Sequence, residues 1–230
     1  MVKTLYLLAD SQLFFGKSGG VSLPERLRAD MDSVNPKAAY IGASNGDQPE
    51  FYDLFAAAME SMAISDCRFV RSQPSPEDTA FLGGADLIVL AGGDVERGWH
   101  VFEQNGFKEL LPQLRYNGAA LIGVSAGAVQ LGLGHLSNAA QPKQIGMFRF
   151  APFYVGAHDE RNDWFDLRAL VNLAHSDARA IGLPAGGGAV YYPDGTLEPL
   201  RKPLIEIVKE DSKITENLMG PLDPTRQPQG

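Results

Sequence analysis

The sequence predicts an α/β fold: a three-layer αβα sandwich whose mainly parallel sheet lies between helices. Three observations predict it. Strand-like apolar runs alternate with helix-compatible segments almost to the end of the 230 residues, the pattern that builds parallel sheets through right-handed crossovers. Leu87-Ile88-Val89-Leu90-Ala91 is a continuous apolar run between Asp86 and a glycine pair, as expected of a strand covered on both faces. Gly123-Val124-Ser125-Ala126-Gly127-Ala128 follows the apolar run Ala119-Ala120-Leu121-Ile122 and leads into Ala128-Val129-Gln130-Leu131. That order, strand then sharp turn then helix, gives a G-x-S-x-G string its meaning as a nucleophile elbow.

Residues 4–9 read as the first strand, and residues 24–33 as a helix with Leu23, Leu27 and Met31 on one side. The second strand falls at 38–42, a helix at 50–62 and the third strand at 68–70. Ser75-Pro76-Glu77-Asp78 supplies an N-cap, a proline at the first helical position and acids in the first turn. The fourth strand spans 86–91, and a helix over 102–114, interrupted near Gly106, leads to the strand before Ser125. After Gly134 the pattern changes. Residues 148–155 and 189–192 read as strands, Pro193-Asp194-Gly195 as a hairpin turn, and 163–174 as the last helix. Without linker or repeat, residues 1–216 are expected to form a single hydrolytic domain, with 217–230, rich in Pro, Gly and polar residues, as a flexible tail.

Hydrophobic content of 44% and charged content of 21% are those expected of a soluble globular protein. A net charge of −8, with Lys and Arg scattered, argues against nucleic acid or an anionic membrane as partner. The short apolar run near the N-terminus ends at Asp10 without a small-residue cleavage site, so it reads as a strand rather than a signal peptide. No run is long enough to span a bilayer, and a cytoplasmic location is expected. The single Cys67 excludes a disulfide framework and a cysteine-based zinc site, and its place in Cys67-Arg68-Phe69-Val70 makes it a core residue rather than a nucleophile. Gly83-Gly84 and Gly92-Gly93 lack the spacing of a nucleotide-binding loop.

At the elbow, the glycines flanking Ser125 permit a strained turn that a Cβ would obstruct. The turn pushes the hydroxyl out of the sheet and leaves the Ala126 N–H at a helix start, ready to stabilise an oxyanion. The alternative for the motif is a Gly/Ala-rich turn with a helix-capping serine. Ligands of open α/β sheets bind beyond the carboxyl ends of the strands, where the Gly92-Gly93-Asp94 loop also falls. Gly93 is either a second oxyanion donor or part of a plain tight turn.

A serine needs a base. Of the four histidines, His100 lies in a helical region, His135 follows the elbow helix, and His175 ends a helix where the dipole favours it as a cap. His158 closes the strand Phe153-Tyr154-Val155-Gly156-Ala157 and opens the polar loop Asp159-Glu160-Arg161-Asn162-Asp163, the place for a general base above a sheet. Ordinary α/β-hydrolases run Ser, acid, His. No Asp or Glu lies between Ser125 and His158, so that order fails and an orienting acid must follow the histidine.

The Ser-then-His order, the Gly-Val-Ser-Ala-Gly-Ala elbow and the upstream Ala91-Gly92-Gly93-Asp94 together resemble the dipeptidase E and cyanophycinase family of serine peptidases. That family is similar in fold to class I glutamine amidotransferases, with serine in place of cysteine. The resemblance runs from the first strand to Asp194-Gly195. It implies Ser125 as nucleophile, His158 as general base, Gly93 and Ala126 as the oxyanion hole, and cleavage beside an acidic residue with neither metal nor cofactor. A small peptide is the implied partner, and a homodimer stays open as the assembly.

One departure stands out. The family orients its histidine with a glutamate in a Gly-Leu-Pro-Glu-Gly type segment, whereas this chain reads Gly182-Leu183-Pro184-Ala185-Gly186. Three explanations stay open. Glu160 substitutes, since alternate residues of an extended segment face one way; Asp194 or Glu198 reaches in; or the chain is an impaired homologue that binds a peptide or metabolite. Arg161, just after His158, is the candidate to read a substrate carboxylate, with Arg149 and Arg168 behind it. Arg161 equally suits a pairing with Asp159, Asp163 or Asp166. Trp99, Phe153, Tyr154 and Trp164 are available to wall a cleft or to pack in the core. The activity expected is a dipeptidase E-type peptidase acting next to Asp, with cyanophycinase-like cleavage of β-aspartyl peptides as the alternative.

Overall fold

The computed structural model describes every residue except 1–2, 16, 19–20, 32, 138–140, 175, 212 and 222–230. The chain begins with β1 (Leu5–Leu8), a 3-10 turn (Ser11–Phe15), the short pair β2 (Lys17–Ser18) and β3 (Val21–Ser22), and α1 (Leu23–Asp30). β4 (Lys37–Ile41), α2 (Pro49–Ser61), β5 (Asp66–Val70), α3 (Pro76–Gly83) and β6 (Leu87–Leu90) follow. α4 (Val95–Gln104) and α5 (Phe107–Tyr116) precede β7 (Ala120–Val124) and α6 (Ala126–Leu131). Then come β8 (Gly134–Leu136), β9 (Gln144–Gly146), β10 (Tyr154–Ala157), α7 (Phe165–Leu173) and β11 (Ala178–Leu183). The last elements are β12 (Gly188–Tyr191), β13 (Leu197–Leu200), β14 (Leu204–Glu210) and β15 (Lys213–Met219).

The central sheet has the order β13-β12-β1-β7-β6-β4-β5. β1, β7, β6, β4 and β5 are parallel, and β12 runs antiparallel to both β1 and β13. Because side chains alternate across a strand, the sheet has two apolar faces. Leu5, Leu7, Ile41, Ile88 and Leu121 meet α3 to α6 through Leu82, Phe102, Leu111 and Leu131. Tyr6, Leu8, Tyr40, Val89 and Ile122 meet α1 and α2 through Leu27, Phe55 and Met59. This is the three-layer α/β architecture that the alternation predicts. A second sheet, β10-β11-β14-β15, carries α7 through Leu167, Leu170 and Val171. Among the described residues, no helix is long and apolar enough to cross a membrane.

Several boundaries differ from the sequence reading. The helix expected from 102 is two helices beginning at Val95, divided at Gly106, whose φ of 74° favours glycine. The strand expected over 148–155 is confined to Tyr154–Ala157. The reason is that Phe148, Arg149, Phe150 and Ala151 donate their backbone N–H groups to the carbonyls of Gln130, Leu131 and Gly132, capping the end of α6. Asp163 and Trp164 both have a φ of 54°, so the last helix starts after them. Asn217 and Leu218, expected to open the tail, are instead in strand, Asn217 paired with Glu206 and Leu218 with Ile205 in the β14–β15 ladder. Residues 222–230 of that tail, and the cap expected at His175, lie outside the described residues. Ser75 caps α3 in a full capping box with Asp78, worth about 1 kcal/mol.

An ion pair ties α1 to the β12–β13 hairpin. Arg26 donates from Nη1 to Glu198 Oε2 and from Nη2 to Oε1, both at 2.8 Å, and the Tyr192 hydroxyl donates to the same carboxylate. Burial alone would raise the Glu198 carboxyl; the hydrogen bonds from Arg26 and Tyr192 outweigh it and hold the group below its ordinary range. A depressed folded pKa contributes stability above the ordinary glutamate value of about 4.3, and that contribution is lost as pH falls through the folded value. Thermal melts are therefore expected to show Glu198→Gln less stable than the native chain at pH 7, with the gap closing towards pH 3.

Candidate active site

Ser125 sits between β7 and α6 with φ 49° and ψ −108°, outside the conformations that a side chain ordinarily adopts. Its N–H donates to the Leu8 carbonyl at 2.8 Å, which extends the β1 ladder into the turn, and its own carbonyl accepts from Ala128 and Val129. The flanking glycines are set by close approach. A Cβ on Gly123 would lie 2.5 Å from Ala128 N, and one on Gly127 would lie 2.3 Å from the Leu90 carbonyl oxygen. The helix begins immediately, so the Ala126 N–H has no partner within it. Gly92 lies against the elbow, its notional Cβ 3.4 Å from that of Ser125. Gly93, with φ 131°, crosses so close to the Ser44 carbonyl that a Cβ would come within 2.3 Å of the oxygen.

The structure brings Ser125 and His158 together: Oγ stands 2.7 Å from Nε2. β10 places the histidine at the sheet end, and its N–H donates to the Leu183 carbonyl of the neighbouring parallel strand β11 at 2.8 Å. Among the described residues, Ser125 is the one side-chain partner recorded for the imidazole. Glu160 comes close in the chain, but its Oε1 accepts from the Ala185 N–H at 2.6 Å. The next N–H, of Gly186, donates to Asp10 Oδ2, also at 2.6 Å. The Ala185-Gly186 segment is thus pinned through its backbone by two carboxylates. Asp194 accepts from the Thr196 N–H within its hairpin, and Glu198 is committed to Arg26 and Tyr192. Cys67 is half-buried on β5, where burial and then the Asp66 charge push its thiol up and away from the reactive thiolate.

Beside the Ser125–His158 pair opens a cavity of about 390 Å³ that runs beyond the ends of β1, β4, β6 and β7. Arg161, exposed on the loop after His158, is absent from its lining, as are Arg149 and Arg168. Arg168 is engaged with Asp163 and Glu216. The arginine on the cavity wall is Arg97 of α4, which forms no ion pair among the described residues. The four aromatics considered as walls all belong to the core: Trp99, Phe153, Tyr154 and Trp164 are buried away from the cavity. Its aromatic lining comes instead from the β1 loop, β4 and α2. These residues escaped the sequence reading, which followed only the loops after β6 and β7. The same rule about strand ends points equally to the loops after β1 and β4.

Behind the cavity lies fully buried Gln130, on the helix that Ser125 opens. Its Nε2 donates to Ser44 Oγ and to the Val95 carbonyl, both at 3.0 Å. This polar joint fixes the Ser44 turn and α4 relative to the elbow. It also explains Gly98, where a Cβ would lie 2.1 Å from Ser44 Oγ. Among the described residues, no group of three or more His, Cys, Asp or Glu side chains clusters in the manner of a metal site.

Comparison with known proteins bears on the family and the fold. The sequence model of peptidase family S51 matches residues 7–164, which include both Ser125 and His158. The chain is 24% identical over 163 residues to a protein of Bacillus subtilis (strain 168) named uncharacterized peptidase YgaJ, covering 65% of this chain and 71% of that protein. Its fold is similar to that of a peptidase from an acI-B1 Actinobacterium, with a TM-score of 0.71, 15% identity and 96% of each chain covered. It is also similar to a putative peptidase E protein from Listeria monocytogenes EGD-e, with a TM-score of 0.59, 14% identity, and coverage of 96% of this chain and all of the other.

Proposed function

The chain belongs to peptidase family S51, and from that premise we propose that it is a serine peptidase acting on small peptides beside an aspartyl residue. Ser125 Oγ attacks the scissile carbonyl carbon while His158 Nε2 takes its proton. The imidazolium returns that proton to the leaving amine, and a water activated by the same histidine hydrolyses the acyl-enzyme. The N–H groups of Ala126 and Gly93 receive the developing oxyanion. The single observation that carries this reading is the 2.7 Å contact between Oγ and Nε2 on a strained elbow that opens into the cavity.

Arg97 replaces Arg161 as the proposed reader of the substrate carboxylate, because it lines the cavity without an ion-pair partner among the described residues. The cavity's two aspartates do not compete for it. Asp94 Oδ1 accepts the Arg97 backbone N–H, and Asp10 accepts from Gln12 and Gly186. Arg97→Ala is expected to raise KM for Asp-containing dipeptides while leaving neutral dipeptides little changed. A charge-assisted contact of this kind contributes about 1.5–3 kcal/mol, roughly ten- to more than a hundredfold in affinity. Steady-state kinetics on a matched pair such as Asp-Leu and Ala-Leu checks this, and equal changes on both would exclude Arg97 as the selector. A second reading, an impaired homologue that binds a peptide, draws on Ala185 and on the lack of a recorded acid partner for the imidazole among the described residues.

A further inference from the structure

We infer that the cavity beside Ser125 selects a peptide with a large apolar side chain, of leucine or phenylalanine size, next to the bond that is cut. This inference rests on the reading of Ser125 as nucleophile and adds a substrate class to it. The apolar wall of the cavity is built from Phe14, Tyr40, Phe51, Leu54, Phe55 and Val89. Two of these adjoin the cavity while open to solvent: Phe51 and Leu54 of α2 remain 47% and 45% exposed. Side chains of that size left open beside a concave site mark a place where apolar surface is to be covered.

Several of the polar atoms around that wall are already committed. Asn45 Nδ2 donates to the Tyr40 hydroxyl at 2.8 Å, and Asn45 Oδ1 accepts from the Gln48 N–H. Ser44 Oγ is engaged by Gln130 and the Ser44 carbonyl by the Asp94 N–H. Tyr40, whose burial pushes its phenol up to about 12, stays neutral and presents its ring. A polar substrate side chain placed here would surrender its hydration and find few free partners, whereas an apolar one gains the whole contact. Arg97 stands on the same cavity. One short peptide can therefore offer its carboxylate to the arginine and its apolar side chain to the α2 wall.

Two sulfonyl fluorides that differ only in their arm test this without relying on peptide turnover. With either reagent the Ser125 oxygen bonds to sulfur, the S–F bond breaks, fluoride leaves and His158 takes the hydroxyl proton. Phenylmethanesulfonyl fluoride offers a benzyl group to the wall, and methanesulfonyl fluoride offers only a methyl group. With each rate divided by the reagent's own hydrolysis rate in buffer, the benzyl reagent is expected to modify Ser125 about ten- to a hundredfold faster. The double substitution Phe51→Ala with Leu54→Ala, at two exposed positions, is expected to cut that ratio at least about threefold. A ratio near one in the native chain, or a ratio that the double substitution does not move, would overturn the apolar pocket while the adduct on Ser125 upholds the nucleophile. No adduct from either reagent would overturn the nucleophile, and this inference with it.

Discussion

Replacing Ser125 by alanine is expected to reduce peptide turnover by at least about 10²-fold: loss of a complete triad costs about 10⁶-fold, of which up to about 10⁴-fold is already missing where no acid orients the histidine. The size of the effect follows from how completely the local structure serves one oxygen. Gly123 and Gly127 give up side chains so that β7, α6 and the end of β6 can close around the elbow. Ser125 itself holds a φ of 49°, a conformation costing roughly 1–3 kcal/mol that neighbouring structure must sustain. Its hydroxyl then meets His158 Nε2 at 2.7 Å. Alanine removes only the oxygen, keeps the Cβ that the site already accommodates, and is expected to leave the melting temperature within a few degrees of the native value. Turnover in the substituted protein within tenfold of native would place the nucleophile elsewhere.

The elbow was legible in the sequence because its cause is local. Strand, glycine, serine, glycine and helix are adjacent in the chain, and so are the apolar run of β6 and its following glycines. His158 could be picked from four histidines because a strand end precedes it. Arg97 and the α2 wall were not legible, since their place on the cavity depends on strand order: β4 and β6 lie side by side, which puts α2 and α4 on one cavity. The second sheet was missed for a related reason. β15 is largely exposed, and β14 buries Leu204 and Ile207 three residues apart, so neither shows the alternation that marks a half-buried strand. Which aromatic residues line the cavity was set by the fold, with Trp99 and Phe153 in the core and Phe14, Tyr40, Phe51 and Phe55 at the cavity, a distinction that composition does not carry.

Ala185→Glu is expected to raise kcat, by up to about 10⁴-fold, the amount that a serine protease loses when its histidine lacks a proper acid. The site is ready to receive it. Ala185 is exposed, two residues beyond the Leu183 carbonyl that accepts the His158 N–H, so the longer side chain displaces no core. The backbone there is already fixed, with Glu160 on the Ala185 N–H and Asp10 on that of Gly186. A carboxylate added at this point would hold one tautomer of the imidazole and stabilise its cation. Glu160→Gln separates the two roles open to Glu160. The amide oxygen of glutamine can still accept the Ala185 N–H, so kcat is expected to change less than tenfold. A loss approaching 10⁴-fold, together with no gain from Ala185→Glu, would make Glu160 the acid that orients His158. Pre-steady-state and steady-state rates of the three proteins on one Asp-containing dipeptide distinguish these outcomes.

The most direct test of a serine peptidase centred on Ser125 is peptide mapping by mass spectrometry after treatment with a fluorophosphonate, which needs a nucleophilic serine and no knowledge of the peptide substrate. The account predicts one phosphonyl adduct on Ser125, absent in Ser125→Ala and formed far more slowly in His158→Ala. An adduct on any other residue, or none on the folded native protein, would contradict it.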